Sequence, residues 1–323
     1  KQALFGGAGI LIMLFVSKID YRIYITKLPI IKIRPITILY FLCVLLQIYV
    51  ILFGTDIKGA KRWINIGGVS FQPSELSKIA VILVTAYIVQ LAPRKLDKIW
   101  GFLRVCLFMS PLLGLIIAEN FSTGFIIGII IVSICFVASK KKAYFIVSGI
   151  VGAGLASLLI FFVDFRSTRI EAWLNVETHE KGYQILQGLY AIASGGIFGK
   201  GLGESMQKLG FIPESHNDMI FSVICEELGL FGAVSLILLF ILLLWRIFII
   251  AINAPDLYGG LIATGVLAHI ATQVLINIAV VTSTIPPTGI PLPFISSGGS
   301  SLLVILFEMG IVLSISNQIK VQR

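Results

Sequence analysis

The sequence predicts an all-α polytopic membrane protein, and three observations predict it. Hydrophobic residues make up 57% of the 323 residues and charged ones only 13%, against roughly 25% charged in soluble domains. Mean hydropathy is +1.00. Apolar residues gather into runs long enough to cross a hydrocarbon core, and basic residues gather in alternate gaps between those runs. Spanning segments must be helices, because lipid satisfies no backbone amide or carbonyl.

The runs predict about nine helices, taking roughly 20 residues per crossing. The first covers residues 3–17. It has no basic leader or small-residue cleavage site, so it is not a signal peptide. The chain opens on Lys1 and not on Met, so a further N-terminal piece is expected before it. The second run, 36–54, follows Pro35. The third, 75–91, follows Pro73, whose missing N–H costs nothing in a first helical turn. Runs at 103–118 and 123–138 come next, the latter short enough to be tilted or shielded by neighbours. The sixth, 142–163, follows Lys140-Lys141-Lys142, and the last three cover 219–250, 257–282 and 299–317. No internal repeat, soluble domain or low-complexity tract interrupts this plan. Cys43, Cys106, Cys135 and Cys225 all lie in apolar runs and read as small buried hydrophobes, not as a disulfide framework.

The net charge of +9 need not mean nucleic acid. Loop 18–35 holds Lys18, Arg22, Lys27, Lys32 and Arg34, and loop 92–104 holds Arg94, Lys95, Lys98 and Arg104. With the triple lysine, Arg246, Lys320 and Arg323, these fall on one side when the helices alternate. That side is the cytoplasm by the positive-inside rule. Lys1 then lies outside, and a further helix before it would bring both termini inside. Loops 54–74, 118–123, 164–218 and 282–299 face the other way.

Residues 164–218, the large extracytoplasmic loop, form the one long water-facing excursion, and it ends in Pro213-Glu214-Ser215-His216-Asn217-Asp218 at a helix mouth. Asp218 can cap that helix, where the dipole favours a carboxylate, or serve chemistry. Glu226 and Glu227 lie two turns deeper and Glu308 sits alone in the last run; intramembrane acids are functional candidates by default. Around Gly195-Gly196-Ile197-Phe198-Gly199-Lys200-Gly201 the spacing of a P-loop is missing, so a flexible surface turn is expected. His179, His216 and His269 are scattered, without metal-ligand spacing, and no nucleophile elbow supports a serine triad.

Two further segments carry polar signals. Lys61-Arg62-Trp63 precedes Pro73-Ser74-Glu75-Leu76-Ser77-Lys78. Glu75 and Lys78 share a helix face, so they either neutralise each other or leave Lys61, Arg62 and Lys78 to present positive charge to an anionic headgroup. Trp63 is an interfacial residue or a surface for sugar or lipid. The stretch from Thr284 to Ser301, with Pro286-Pro287-Thr288-Gly289-Ile290-Pro291-Leu292-Pro293, cannot be a continuous helix. It is a rigid connection or a re-entrant segment lining a cavity.

These segments resemble the SEDS family (RodA/FtsW/SpoVE). The likeness rests on Lys61-Arg62-Trp63-Ile64 through Lys78, on Pro213 to Phe221 with Glu226-Glu227-Leu228-Gly229, and on Pro287 to Ser301. It covers essentially the whole chain as a single transmembrane domain, 1–323, with the family's first of ten helices lacking. Glu119-Asn120-Phe121-Ser122-Thr123 looks more like the FtsW/SpoVE side than the RodA side. Asn217, Met219 and Ser297 stand where the family commonly has Thr, Phe and Tyr. The resemblance implies a peptidoglycan glycosyltransferase of the bacterial cytoplasmic (inner) membrane. Its substrate would be lipid II on the extracytoplasmic face, and its partner a class B penicillin-binding protein, a transpeptidase. Asp218 matches the family's essential acid. Lys61, Arg62, Trp63, Glu75 and Lys78 are the implied substrate-binding residues. No metal ligands are expected, although Mg²⁺ at Glu75 is compatible with a pyrophosphate substrate. Two other classes stay open on the residues alone. Glu226, Glu227 and Glu308 would suit a lipid II flippase or transporter, and a non-catalytic scaffold for a transpeptidase would need no acid at all.

Overall fold

A computed structural model describes residues 2–29, 32–56, 61–66, 69–147, 149, 154, 170–179, 182–213 and 215–319. The chain is predominantly helical, as the apolar runs require. The helices are α1 (Gln2–Ser17), α2 (Pro35–Phe53), α3 (Pro73–Leu91), α4 (Ile99–Glu119), α5 (Phe121–Ala138), α6 (Tyr183–Gly195), α7 (Ile220–Ile252), α8 (Leu257–Val281) and α9 (Gly299–Asn317). Among the described residues, seven are long and apolar enough to cross a membrane; α1 is shorter and α6 belongs to the polar excursion. The helix expected at 142–163 falls mostly outside the described residues, although 143–147 are helical.

Local chemistry sets the helix boundaries. Pro35 and Pro73 start α2 and α3, where no intrahelical N–H is needed. Asn120 caps α5 by accepting from the Thr123 N–H at 3.3 Å. Pro111 lies inside α4, which a membrane helix tolerates when neighbours satisfy the freed carbonyl. In α7 the backbone turns at Gly229, with φ 65° and ψ −163°. Only glycine adopts such a conformation cheaply.

Residues 1–145, 245–270 and 299–323 make one compact unit, and 146–244 with 271–298 make a second. Within the first, α3 packs on α2, α4, α5 and α9, and 72% of its most apolar window is buried, against 28% for α2. That identifies α3 as the inner helix of the unit. Tyr40 stacks on Phe108 with ring centroids 5.1 Å apart, and its hydroxyl donates to the Phe108 carbonyl at 2.7 Å. At the ends of α1 and α9, Ser314 donates to the Ile19 carbonyl and Asn317 to the Ser17 carbonyl. All four cysteines are free thiols, with Cys43, Cys135 and Cys225 buried.

Loop 54–72 contains a small antiparallel sheet of β1 (Thr55–Asp56), β2 (Lys61–Ile66) and β3 (Val69–Phe71). Thr55 pairs with Trp63, Asp56 with Lys61, and Ile64 with Phe71. The helical runs on either side gave no hint of it.

One polar cluster anchors the loop after α1. The Asp256 carboxylate, just ahead of α8, accepts from the Gly259 N–H at 2.8 Å, from Tyr21 at 2.9 Å and from Arg22 Nε at 2.7 Å. Burial alone would raise the Asp256 pKa. The Gly259 amide, Arg22 and Tyr21 outweigh it and hold the carboxyl below its usual value. Burial, together with the hydrogen bond to Asp256, pushes the Tyr21 phenol up. Asp256→Ala should therefore cost about 1 kcal/mol at pH 7, in the range for a lost N-cap. A depressed carboxyl contributes stability that is complete above its unfolded pKa and is lost as pH falls through its folded one. Thermal unfolding in detergent should show the gap between wild type and variant narrowing below about pH 4.

Candidate active site

Asp218 stands two residues ahead of α7, half-buried, in the turn that closes the excursion. Three elements of the second unit hold that turn. From α6, Gln184 Nε2 donates to the Pro213 carbonyl at 3.1 Å and reaches Asp218 Oδ1 at 3.4 Å. From α8, the Asn277 amide donates to the Asp218 carbonyl at 2.8 Å and to the Ile290 carbonyl at 2.9 Å. The third element is the Pro/Gly-rich segment between α8 and α9. Ser296 Oγ donates to the Asn217 carbonyl and accepts from the Leu292 N–H, and the Ser297 N–H donates to the His216 carbonyl at 2.8 Å.

That segment is irregular but tightly tied. Gly289 has φ +68°, and a Cβ built there would lie 3.7 Å from Asp218 Oδ2. Its backbone therefore runs past the carboxylate. Asn277 Oδ1 and Thr288 Oγ1 are buried, with no hydrogen-bond partner among the described residues. Buried polar atoms are rarely left so; a water or a substrate hydroxyl would satisfy them.

The basic residues belong to the first unit. Lys61, Arg62 and Trp63 are consecutive on β2, so Arg62 and Trp63 project to opposite faces of the sheet. Arg62 Nε donates to the Glu119 carbonyl at 3.1 Å, and the Gln47 amide reaches the Glu119 carboxylate at 3.4 Å. Lys78 lies 2.9 Å from Glu75, and their side chains are 1% and 7% exposed. The helix-face pairing read from the spacing thus forms, and it forms inside the protein. Trp63 is half-buried, and its carbonyl accepts from Thr55.

The glycine-rich turn corrects an expectation. It is a surface turn, with Ile197 and Phe198 64% and 83% exposed, but its backbone is fixed as a clamp on the bend of α7. Lys200 N–H donates to the Glu226 carbonyl and Gly201 N–H to the Glu227 carbonyl, while the Leu230 and Phe231 N–H groups donate back to Gly196 and Ile197. A kink at Gly229 frees backbone groups, and this turn recovers them. Lys200 then pairs with the Glu226 carboxylate at 2.7 Å, Ser205 donates to it at 2.5 Å, and Lys208 pairs with Glu227 at 2.5 Å. The two adjacent acids are each met by a lysine from the excursion. The glycines carried that signal, because Gly199 and Gly229 meet where either Cβ would strike backbone. Glu308 has its own buried partner in His269 Nδ1 at 2.8 Å. Among the described residues, no group of three or more His, Cys, Asp and Glu could hold a metal ion.

The matches to known proteins agree with one another. The family model described as "Cell cycle protein", FtsW/RodA/SpoVE, matches residues 1–321. "Stage V sporulation protein E" of Bacillus subtilis is 39% identical over 98% of this chain and 86% of its own length. "Probable peptidoglycan glycosyltransferase FtsW" of Trichlorobacter lovleyi is 36% identical over 99% of this chain and 84% of its own. Among solved structures, a chain from work described as "Structural coordination of polymerization and crosslinking by a peptidoglycan synthase complex" superposes with TM-score 0.82 and 26% identity, covering 98% of this chain and 89% of that one.

The buried Glu75–Lys78 pair makes a prediction of its own. Lys78→Met strands a buried carboxylate and should cost about 3–5 kcal/mol. Glu75→Leu combined with Lys78→Met removes both charges and should recover most of that loss. A double-mutant cycle on thermal unfolding in detergent measures the coupling.

Proposed function

We propose, for a chain that belongs to the FtsW/RodA/SpoVE family of cell cycle proteins, a glycosyl transfer reaction run by Asp218. The protein is a multi-pass membrane protein and a peptidoglycan glycosyltransferase. The substrate is lipid II, a disaccharide-pentapeptide on undecaprenyl pyrophosphate, and the product is a longer glycan strand.

In the reaction, a sugar 4-hydroxyl of the acceptor attacks the anomeric carbon of the donor. A new glycosidic C–O bond forms as the bond to the pyrophosphate oxygen breaks. An α-linked donor yielding a β-linked glycan requires inversion, hence one displacement. The step needs a base for the incoming hydroxyl and positive charge for the departing pyrophosphate. Pyrophosphate leaves as an anion, so no second carboxylate has to act as acid.

Asp218 takes the proton. The observation that carries this role is its mounting: a half-buried carboxylate on a turn fixed by Gln184, Asn277 and Ser296. A base must be placed before its pKa matters, and this one is held from three sides. Arg62 and Lys78 are the leading pyrophosphate partners, with Lys61 a weaker one. Glu75 orients Lys78, and Trp63 lies along sugar or lipid. Should a Mg²⁺ assist, it would neutralise pyrophosphate charge; Glu75 is the carboxylate paired with Lys78, and no step above depends on the ion.

Alternation of basic loops supports an extracytoplasmic site on the cytoplasmic membrane. There no nucleotide is at hand and the substrate must arrive already activated. A class B penicillin-binding protein is the proposed partner. The described coupling of polymerization and crosslinking in the structural neighbour supports it. The acids that would favour a transporter are already engaged, Glu226 and Glu227 by lysines and Glu308 by His269.

Asp218→Asn should keep the shape and lose the base. With purified partner and lipid II in detergent, polymerisation should fall by about 10²–10⁴-fold, while the complex with the transpeptidase still forms. Wild-type polymerisation by a folded Asp218→Asn variant would overturn the role of Asp218. Lipid II scrambling without glycan product from the wild type would favour the transporter reading instead.

A further inference from the structure

We infer a second binding site, for an anionic phospholipid, in a cleft between α2, α3 and α4 at the basic-rich side of the membrane. The cleft lies wholly within the first unit and has a volume of about 470 Å³. That is within the range of pockets that bury most of a small ligand, roughly 300–1,000 Å³. It is lined by the first turns of α2, the last turns of α3 and the first turns of α4. Those three helix ends share the side of the membrane that carries the basic loops.

The walls are hydrocarbon. Tyr40, Phe41, Ile88, Leu91, Val105 and Phe108 form most of them. Phe41, Leu91 and Phe108 are 58%, 64% and 47% exposed, so the cleft opens sideways into lipid. A detached soluble ligand gains little from such a wall, whereas an acyl chain matches it.

The rim is cationic. Lys95 and Arg104 line the cleft, and both are exposed. Among the described residues their side chains have no ion pair or hydrogen bond. The loop bearing Lys95 presses on the start of α4 one turn before Arg104, where a Cβ on Gly101 would lie 2.0 Å from the Lys95 carbonyl. Arg34 adds a third charge held in place. It stacks over the Tyr87 ring at 5.0 Å, donates to the Ile25 carbonyl at 3.1 Å, and Tyr87 lines the cleft. The nearby acid, Asp97, is taken up elsewhere, accepting from the Lys140 N–H at 2.9 Å and from Ser139.

Exposed cations need no counter-ion in water, but Lys95 and Arg104 sit at the mouth of an apolar, laterally open cleft, and the anion that matches both the charge and the wall is a lipid headgroup. Basic pockets between membrane helices on the cytoplasmic side hold anionic headgroups for this reason. The phosphate would lie between Lys95 and Arg104, near Arg34, with one acyl chain along Phe41 and Phe108. This site uses none of the residues assigned to glycosyl transfer, so the two readings stand or fall separately.

Native mass spectrometry of the detergent-purified chain, titrated with dioleoylphosphatidylglycerol or dioleoylphosphatidylcholine, tests it. Phosphatidylglycerol should be retained at least tenfold more tightly than phosphatidylcholine. Lys95→Gln with Arg104→Gln should remove that preference, at about fivefold per charge, the equivalent of about 1 kcal/mol for each cation near an anionic surface. Thr37→Trp, which fills the cleft from the exposed start of α2, should weaken both lipids. Glycerol 3-phosphate at equal concentration should not displace the bound lipid. Equal retention of the two lipids by the wild type overturns the inference without reference to any variant. So does an undiminished preference in the double variant, or displacement by glycerol 3-phosphate, which would mark a site for phosphate alone.

Discussion

Backbone that leaves a helix inside a membrane must find its hydrogen-bond partners within the protein, and in this chain Asn277 supplies the decisive ones. Its amide spans the carbonyls of Asp218 and Ile290. One end belongs to the polar excursion and the other to the Pro/Gly-rich segment. Neither stretch is a regular helix at these carbonyls, so both draw partners from outside themselves. Ser296 repeats the arrangement, with its hydroxyl between Leu292 and Asn217. Two irregular segments therefore complete each other, and the turn carrying Asp218 is fixed as a by-product. Gly289 belongs to the same solution, since its positive φ lets the chain run past the carboxylate.

The bend in α7 is the same constraint met a second time. Gly229 breaks the ladder, and residues 196–201 replace the missing partners. The lysines then follow from electrostatics. Glu226 and Glu227 are costly in a membrane helix unless compensated, and Lys200 and Lys208 arrive on the turn that the backbone had already brought there. Backbone satisfaction decides where the excursion docks, and charge pairing decides which side chains it carries.

Much of the fold was legible because hydrophobic runs and prolines speak directly to boundaries. Pro35 and Pro73 begin α2 and α3, and the span read at 257–282 is observed at 257–281. The excursion was legible only as polar. Its helix α6 buries Ile185, Gly188, Ala191 and Gly195 on one face, but small residues at that spacing give a weak apolar signal. The β2–β3 hairpin carries one local signal, the pair Gly67-Gly68 between two short strands, but Lys61 to Ile66 lacks the strict alternation that marks a strand and stands between long apolar neighbours. In the candidate site, the Glu75–Lys78 pair followed from helix spacing. The ties from Gln184, Asn277 and Ser296 did not, because contacts between residues far apart in sequence leave no local pattern.

The pairing of charges also distinguishes two kinds of cation here. Lys78, Lys200 and Lys208 are each matched to a carboxylate, whereas Lys95 and Arg104 are exposed and have no carboxylate partner among the described residues. A buried lysine without a partner would lose its proton or unfold the site. If Lys78 serves a pyrophosphate, it does so while still beside Glu75, sharing its ammonium hydrogens between the carboxylate and the incoming anion. Such a cation stays poised without substrate and becomes fully committed only as the leaving group develops charge, which is where stabilisation accelerates a reaction. An unmatched surface cation has no such restraint. It attracts any anion in reach, which suits steady retention of a lipid and not a cycle of bond breaking.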